Sequence, residues 1–197
     1  MKKLKKNTGY LTGGTTNLRK RTELDFYSTD PLALQYLLEN ETFDLNVWEC
    51  ACGNGALSKV LEESGYNVLS SDLVDRGYGQ GGVDFLMQTN PFNGDIITNP
   101  PFNKADEFVL KALELSKRKV AIFCRIQFLE SRKRYENIFS IYPPIRIYVF
   151  VNRVNCFPNG ESADFTKGMS GFCYAWFIWD KYNLGKTELR WIYNKEY

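Results

Sequence analysis

The chain has 197 residues, of which 44% are hydrophobic and 24% are charged, an ordinary composition for one globular domain. It contains no histidine, which excludes an imidazole base, a Ser-His or Cys-His pair and a histidine-ligated metal. The five cysteines lack the spacing of a disulfide framework or a zinc site, so we expect reduced thiols and no metal. Chemistry must therefore use carboxylates, amides, backbone carbonyls, arginine, tyrosine or a bound cofactor.

The formal net charge of +2 is unevenly distributed. Beyond residue 21 the sequence holds 18 basic and 23 acidic residues, a net charge of −5. A basic N-terminal arm on an acidic body favours a polyanionic partner. The alternative is that this N-terminal segment is only a solvated tail. We predict a flexible basic arm over residues 1–22 and a single domain over residues 23–197. Residues 1–21 contain no acid and seven basic residues: Lys2, Lys3, Lys5, Lys6, Arg19, Lys20 and Arg21.

In chain order, the first predicted element is an amphipathic helix over Pro31–Glu39, with Asp30 as its cap. Strand and helix patterns then alternate, which predicts a mostly parallel sheet covered by helices. Two final strand patterns have no helical pattern between them and predict an antiparallel pair, so one strand near the sheet edge is reversed. The predicted strands are Asn46–Cys50, Tyr66–Ser71, Asp95–Thr98, Lys119–Cys124, Ile145–Asn152 and Phe172–Asp180, and the later helices are Ala56–Ser64, Lys104–Ser116 and Glu130–Phe139.

A glycine turn follows the first strand and is typical of a nucleotide-binding loop. The turn contains Gly53 and Gly55, which let a backbone approach a ligand closely. Asp72 lies 23 residues after Glu49, at the end of the next strand, where an acid can accept hydrogen bonds from ribose hydroxyls. No G-x-x-x-x-G-K-[ST] motif is present in this loop, which argues against a triphosphate ligand.

The tetrapeptide Asn99-Pro100-Pro101-Phe102 directly follows the strand Asp95–Thr98. Two consecutive prolines stiffen the backbone, so the Asn99 amide oxygen and the Pro100 carbonyl can serve as two fixed acceptors. An amino group held between them would become more nucleophilic, and Phe102 could stack on its ring. A plain turn is the alternative, but parallel sheets bind ligands at this end of a strand.

Together these residues resemble the S-adenosylmethionine-dependent amino-methyltransferases, most closely the adenine-N6 DNA methyltransferases of phage and prophage type. The resemblance extends over residues 24–180, with the motifs in the expected order. It implies that Asn99, Pro100, Pro101 and Phe102 form the catalytic motif. It also implies a cofactor site made of a segment before the core, the glycine loop, the ribose-binding acid and a pair beside the cofactor adenine: Phe26, Tyr27, Thr29, Glu49, Cys50, Gly53, Gly55, Asp72, Asp84 and Phe85.

The resemblance implies a Rossmann-like class I methyltransferase fold, with a mostly parallel seven-stranded sheet, one antiparallel strand near the edge and helices on both faces. It implies S-adenosylmethionine as cofactor and DNA with a flipped-out adenine as partner, in the cytoplasm of a bacterium or a phage-infected host cell. No separate target-recognition domain is expected. Phosphate contacts are expected from the basic arm and from Arg132, Lys133 and Arg134, which could instead be a solvated helix face.

Three functions remain open from the sequence. The first is methylation of adenine in DNA, which needs positioning rather than a base. The second uses the same pocket on an RNA adenine or a protein glutamine amide. The third is a nucleic-acid-binding module without activity, against which the intact Asp72 and Asn99–Phe102 argue.

Overall fold

A computed structural model describes residues 26–158, 171–183 and 185–195. The predicted basic arm, residues 1–22, lies outside these ranges, and so does Asp25. Within them, no helix is both long enough and apolar enough to cross a membrane.

The chain order of elements follows the predicted alternation, with three further short strands, β1, β7 and β9. Strands β1 and β7 form a separate two-stranded ladder, and β9 closes the described chain. The strands are β1 (Tyr27–Thr29), β2 (Asn46–Glu49), β3 (Asn67–Ser70), β4 (Asp95–Thr98), β5 (Lys119–Arg125), β6 (Arg146–Phe150), β7 (Cys156–Pro158), β8 (Tyr174–Asp180) and β9 (Glu188–Ile192), and the helices are α1 (Pro31–Leu38), α2 (Ala56–Glu63) and α3 (Ala105–Leu115).

Seven strands form one sheet in the order β3-β2-β4-β5-β8-β6-β9. Strand β8 runs antiparallel to both of its neighbours, β5 and β6, whereas all other pairs are parallel. The predicted sheet with one reversed strand is therefore confirmed. The reversed strand is third from the edge, because β9 forms an additional outer strand. Strand β9 was not predicted, since most of its residues are exposed.

Both faces of the sheet are covered, because successive strand residues point to opposite sides. Val47 packs with α1 and α2 in one hydrophobic cluster, and Trp48 packs with α3 in the other. Helix α1 begins as predicted. The Asp30 side chain accepts a hydrogen bond from the backbone nitrogen of Leu32, and Pro31 is the first residue of the helix. This packing sets the carboxyl ends of β2, β3 and β4 side by side.

The predicted helix Glu130–Phe139 is present from Arg132, but only its first turn is α-helical. A 3₁₀ turn over Ile126–Leu129 precedes it, and the helix runs as α over Arg132–Arg134 and as π over Tyr135–Phe139. Ser131 has an extended backbone and caps this helix, because its hydroxyl accepts a hydrogen bond from the backbone of Arg134.

Strands β1 and β7 pair antiparallel outside the seven-stranded sheet, with Thr29 opposite Cys156. This ladder could not be predicted, because three-residue strands carry almost no periodic pattern. It holds the segment that precedes α1 against the rest of the chain. The segment thereby becomes a wall of the site described next.

Candidate active site

The carboxyl ends of β2, β3 and β4 border a cavity of about 310 Å³. Twelve of the fourteen residues predicted for catalysis and cofactor binding line it. The exceptions are Gly53 and Gly55, which form the turn into α2. The lining set is Phe26, Tyr27, Thr29, Glu49, Cys50, Asp72, Asp84, Phe85, Asn99, Pro100, Pro101 and Phe102.

The Asn99 side chain is fixed by two hydrogen bonds to β1. Its Nδ2 donates to the Tyr27 carbonyl oxygen at 3.0 Å and to Thr29 Oγ1 at 2.7 Å. Because a carbonyl only accepts, the nitrogen must face β1 and the oxygen must face away from it. Asn99 Oδ1 is buried and has no hydrogen-bond partner among the described residues. A buried acceptor without a donor is costly, so this oxygen is poised to accept from a ligand.

Thr29, which is predicted to bind the cofactor, lines the cavity and also makes a contact that was not predicted. Its hydroxyl oxygen accepts a hydrogen bond from Asn99 Nδ2. Thr29 is only 3% exposed, so this contact is shielded from water. The segment predicted to bind cofactor thus also orients the predicted catalytic amide.

Phe102 lies among three neighbours that set the plane of its ring. Tyr27 stacks on it with ring centroids 5.5 Å apart, and Tyr174 lies at 5.9 Å. The Arg125 guanidinium carbon is 4.9 Å from the centroid of the Phe102 ring. Phe102 is partly exposed and lines the cavity, so it can still present part of its ring to a flat ligand.

The glycine loop and Asp72 form one hydrogen-bonded unit. Asp72 Oδ2 accepts from the backbone nitrogen of Gly53 at 2.9 Å, and Oδ1 pairs with Arg76 at 3.0 Å. Gly53 has φ +56°, and a Cβ there would collide with the Phe26 ring. The Arg76 guanidinium carbon lies 4.3 Å from the same ring centroid. Phe26 therefore packs between the loop and Arg76 at the cavity wall.

Glu49 is a buried acid at the base of the cavity. Its Oε1 accepts hydrogen bonds from the Thr98 hydroxyl and, at 3.1 Å, from the backbone nitrogen of Ala51. Burial raises the pKa of Glu49 to about 8, with a further contribution from nearby Asp72. Burial also raises the pKa of Cys50 well above its usual value and that of Cys52 to about 12. Both cysteines are therefore thiols rather than nucleophilic thiolates at neutral pH.

The three basic residues of the 132–134 segment differ in what they contact. Arg134 Nε pairs with Asp106 at 2.8 Å, and its Nη1 donates to the carbonyl of Phe128 at 3.0 Å. This guanidinium is thus used by the fold, which disfavours its predicted phosphate contact. Arg132 and Lys133 are exposed, and Arg132 Nε pairs with Glu136 at 2.7 Å. Because Asp106 is in the first turn of α3, just after the predicted catalytic motif, the pair with Arg134 holds this segment on the same rim as the motif.

Sequence reasoning missed two charged residues at the site, Arg76 and Arg125. The spacing of Asp72 and Arg76, four residues apart, was a signal for the first. Nothing in the sequence pattern indicated Arg125, because it is simply the last residue of a buried strand. Its nearness to Phe102 comes from the packing of β5 beside β4.

Comparison with known proteins bears on the fold. No protein-family model matches the chain. No curated protein matches it in sequence. Among solved structures, a protein from Pyrococcus horikoshii named as a candidate RNA methyltransferase is similar, with a TM-score of 0.55 and 18% identity, over 80% of this chain and 87% of that one. A protein from Agrobacterium tumefaciens, predicted to be an O-methyltransferase, gives a TM-score of 0.55 and 10% identity, over 83% and 86%.

At these sequence identities, the similarity to the two solved structures supports a shared fold and nothing more. The predicted Rossmann-like class I methyltransferase fold is confirmed by the seven-stranded sheet and by these structures. The cavity lies at the carboxyl end of the parallel strands, where such sheets bind ligands. The structure is thus a class I methyltransferase fold with a cavity at the strand ends, in which the oriented Asn99 amide oxygen has no donor among the described residues.

Proposed function

We propose that this protein transfers a methyl group from S-adenosylmethionine to the N6 amino group of adenine in DNA. The observation that carries the proposal is the buried Asn99 Oδ1, which β1 orients and which no described residue satisfies. An aromatic amino group has the donor that this oxygen lacks. The resemblance of Asn99–Phe102 to the catalytic motif of amino-methyltransferases agrees with that assignment.

The cavity residues fit the cofactor on several counts. Gly53 brings its backbone close to Asp72, and the Phe26 ring packs against the position that a Cβ at Gly53 would need. Asp72 and Asp84 supply acceptors, whereas Phe85 supplies an apolar surface. When bound, S-adenosylmethionine supplies a methyl group on a positively charged sulfur, which needs no base to activate it.

The residues of the chain supply geometry for the transfer. Asn99 Oδ1 accepts a hydrogen bond from the adenine amino group, which keeps the nitrogen lone pair aimed at the methyl carbon. With the cofactor bound, transfer of its methyl group to this nitrogen would release a neutral thioether, and the methylated nitrogen would then lose one proton to water. Asn99 stabilises the positive charge that develops on the amino group, and no histidine is required.

Two groups of basic residues favour nucleic acid as the substrate. Arg132 and Lys133 are exposed on the rim next to α3, and the basic arm over residues 1–21 adds a charge of +7. These charges would contact phosphates. A duplex adenine must leave the base stack to reach a cavity of this kind.

The test is transfer of radiolabelled methyl groups to duplex DNA, single-stranded DNA, RNA and bulk protein in separate reactions. We expect label on DNA, recovered as N6-methyladenine after digestion to nucleosides. Label on RNA or protein with none on DNA would refute the substrate assignment. Cofactor binding without transfer to any of the four would refute the activity and favour a nucleic-acid-binding module.

A further inference from the structure

Arg125 lies beside the predicted catalytic motif, and although its side chain contacts the Tyr174 hydroxyl, no carboxylate among the described residues neutralises its charge. It is the last residue of β5, adjacent to β4, whose end bears Asn99. None of the ion pairs among the described residues involves Arg125. Its Nε is buried and has no hydrogen-bond partner there. A partly buried charge without a counter-ion is expensive, so the position calls for an anion.

Two aromatic rings hold the guanidinium in place. Its carbon lies 3.7 Å from the centroid of Phe172 and 4.9 Å from that of Phe102. Stacking on aromatic faces is a favoured arrangement for arginine and leaves its edge donors available for a planar or tetrahedral anion. Phe172 is 44% exposed, so this pair of rings reaches the molecular surface.

The anion belongs to the substrate rather than to the cofactor. Arg125 is not among the residues that line the 310 Å³ cavity, whereas Phe102 both lines the cavity and contacts the guanidinium. Phe102 thus stands between the cavity and Arg125. An anion on Arg125 would therefore lie across the Phe102 ring from the cavity, beside the motif Asn99–Phe102.

We propose that Arg125 binds a backbone phosphate next to the adenine that is methylated, and so fixes the strand while the base occupies the site. This inference rests on the proposed function and deepens it by naming a residue that selects a nucleotide within a strand. Arginine suits the role because its fork can donate two hydrogen bonds to one phosphate. Free adenine or adenosine lacks the phosphate and would gain nothing from Arg125.

The test compares Arg125→Met, Arg125→Lys and the control Lys186→Met, using unmethylated duplex DNA over a salt series. Lys186 is exposed and precedes β9, whose first residue pairs with the first residue of β6. It therefore lies near the amino ends of these strands, whereas Arg125 is at the carboxyl end of β5. We expect Arg125→Met to raise KM for DNA about tenfold or more. It should also lower the slope of log KM against log salt by about 0.9, while the cofactor KM stays unchanged. Arg125→Lys should keep most of the slope, and Lys186→Met should match the wild type.

A second measurement needs no variant. Oligonucleotides in which single phosphates are replaced at random by neutral methylphosphonates are methylated by the wild-type protein, and the methylated and unmethylated pools are compared. We expect interference of about tenfold or more at a phosphate directly flanking the methylated adenine. Absence of such interference, or an unchanged salt slope with a lower kcat in Arg125→Met, would overturn the assignment. If the wild type labels no DNA at all, the proposed function fails and the phosphate assignment fails with it.

Discussion

Replacing Asn99 by alanine separates catalysis from cofactor binding. The change removes the Oδ1 acceptor and both hydrogen bonds from Nδ2 to β1. The Tyr27 carbonyl and the Thr29 hydroxyl lose their donor, which at about 1 kcal/mol for each bond lowers the free energy of unfolding by about 2 kcal/mol. That loss leaves most of a typical domain stability in place.

The effect on transfer should be much larger than the effect on stability. Removing a single preorganised group that stabilises transition-state charge costs about 10² to 10³ in kcat. We therefore expect single-turnover methyl transfer by Asn99→Ala to fall by that factor. The dissociation constant for S-adenosylmethionine, measured by calorimetry, should change less than about threefold, because the glycine loop and Asp72 remain intact.

The matched control is Asn93→Ala, an exposed asparagine before the other end of β4. It should leave transfer, cofactor affinity and stability unchanged. A rate for Asn99→Ala above about a tenth of the wild-type rate would contradict a catalytic role for Asn99. A fall in cofactor affinity in parallel with the rate would show instead that Asn99 is structural.

Three further predictions follow from contacts around the cavity. Thr29→Val removes one of the two acceptors of Asn99, so kcat should fall about tenfold while the cofactor KM is nearly constant in steady-state assays. Gly53→Ala forces a left-handed residue to carry a Cβ against Phe26 and should weaken cofactor binding about tenfold in calorimetry. The raised pKa of Glu49 means that the folded chain keeps a proton which the unfolded chain releases above its pKa of 4.5. The free energy of unfolding in urea should therefore fall by up to about 1.4 kcal/mol per pH unit between pH 5 and 8, and Glu49→Gln should remove that slope.

Each of these has an outcome that contradicts it. A Thr29→Val enzyme with normal kcat would show that the Tyr27 carbonyl alone orients Asn99. For Gly53 the control is Gly65→Ala, which has φ +89° but no atom near its Cβ, so equal losses in both variants would remove Phe26 from the explanation. For Glu49, a free energy of unfolding that rises with pH in the wild type would contradict the prediction. A dependence on pH that persists in Glu49→Gln would mean that another group titrates.

Much of the fold could be predicted from periodicity and turn residues. The bounds of β4 were exact, and those of α1, α2 and α3 were right to within a residue or two. The antiparallel β8 followed from two strand patterns without an intervening helix. The elements that were not predicted are short or exposed: β1, β7, β9 and the π-helical part of the helix after Ser131. In these elements local hydrogen bonds and pairing with distant residues outweigh the hydrophobic pattern.

The site was predictable where it lies at the ends of strands. Asn99 and Asp72 could be placed in one cavity because parallel strands bring their carboxyl ends together. The contact that orients Asn99 was not predictable, since Asn99 and Thr29 are 70 residues apart. Such pairings depend on how loops pack, which the alternation of apolar residues does not encode.

The β1–β7 ladder has a consequence for the order in which the molecule is made. Asn99 is oriented by β1, which is among the first described residues to leave the ribosome, but β1 is paired only when β7 has also emerged, most of the chain later. A nascent chain can therefore contain both Asn99 and its β1 partners before their arrangement is fixed. Ribosome-bound chains released before Cys156 would lack the ladder, so β1 would not yet hold the Asn99 amide in place.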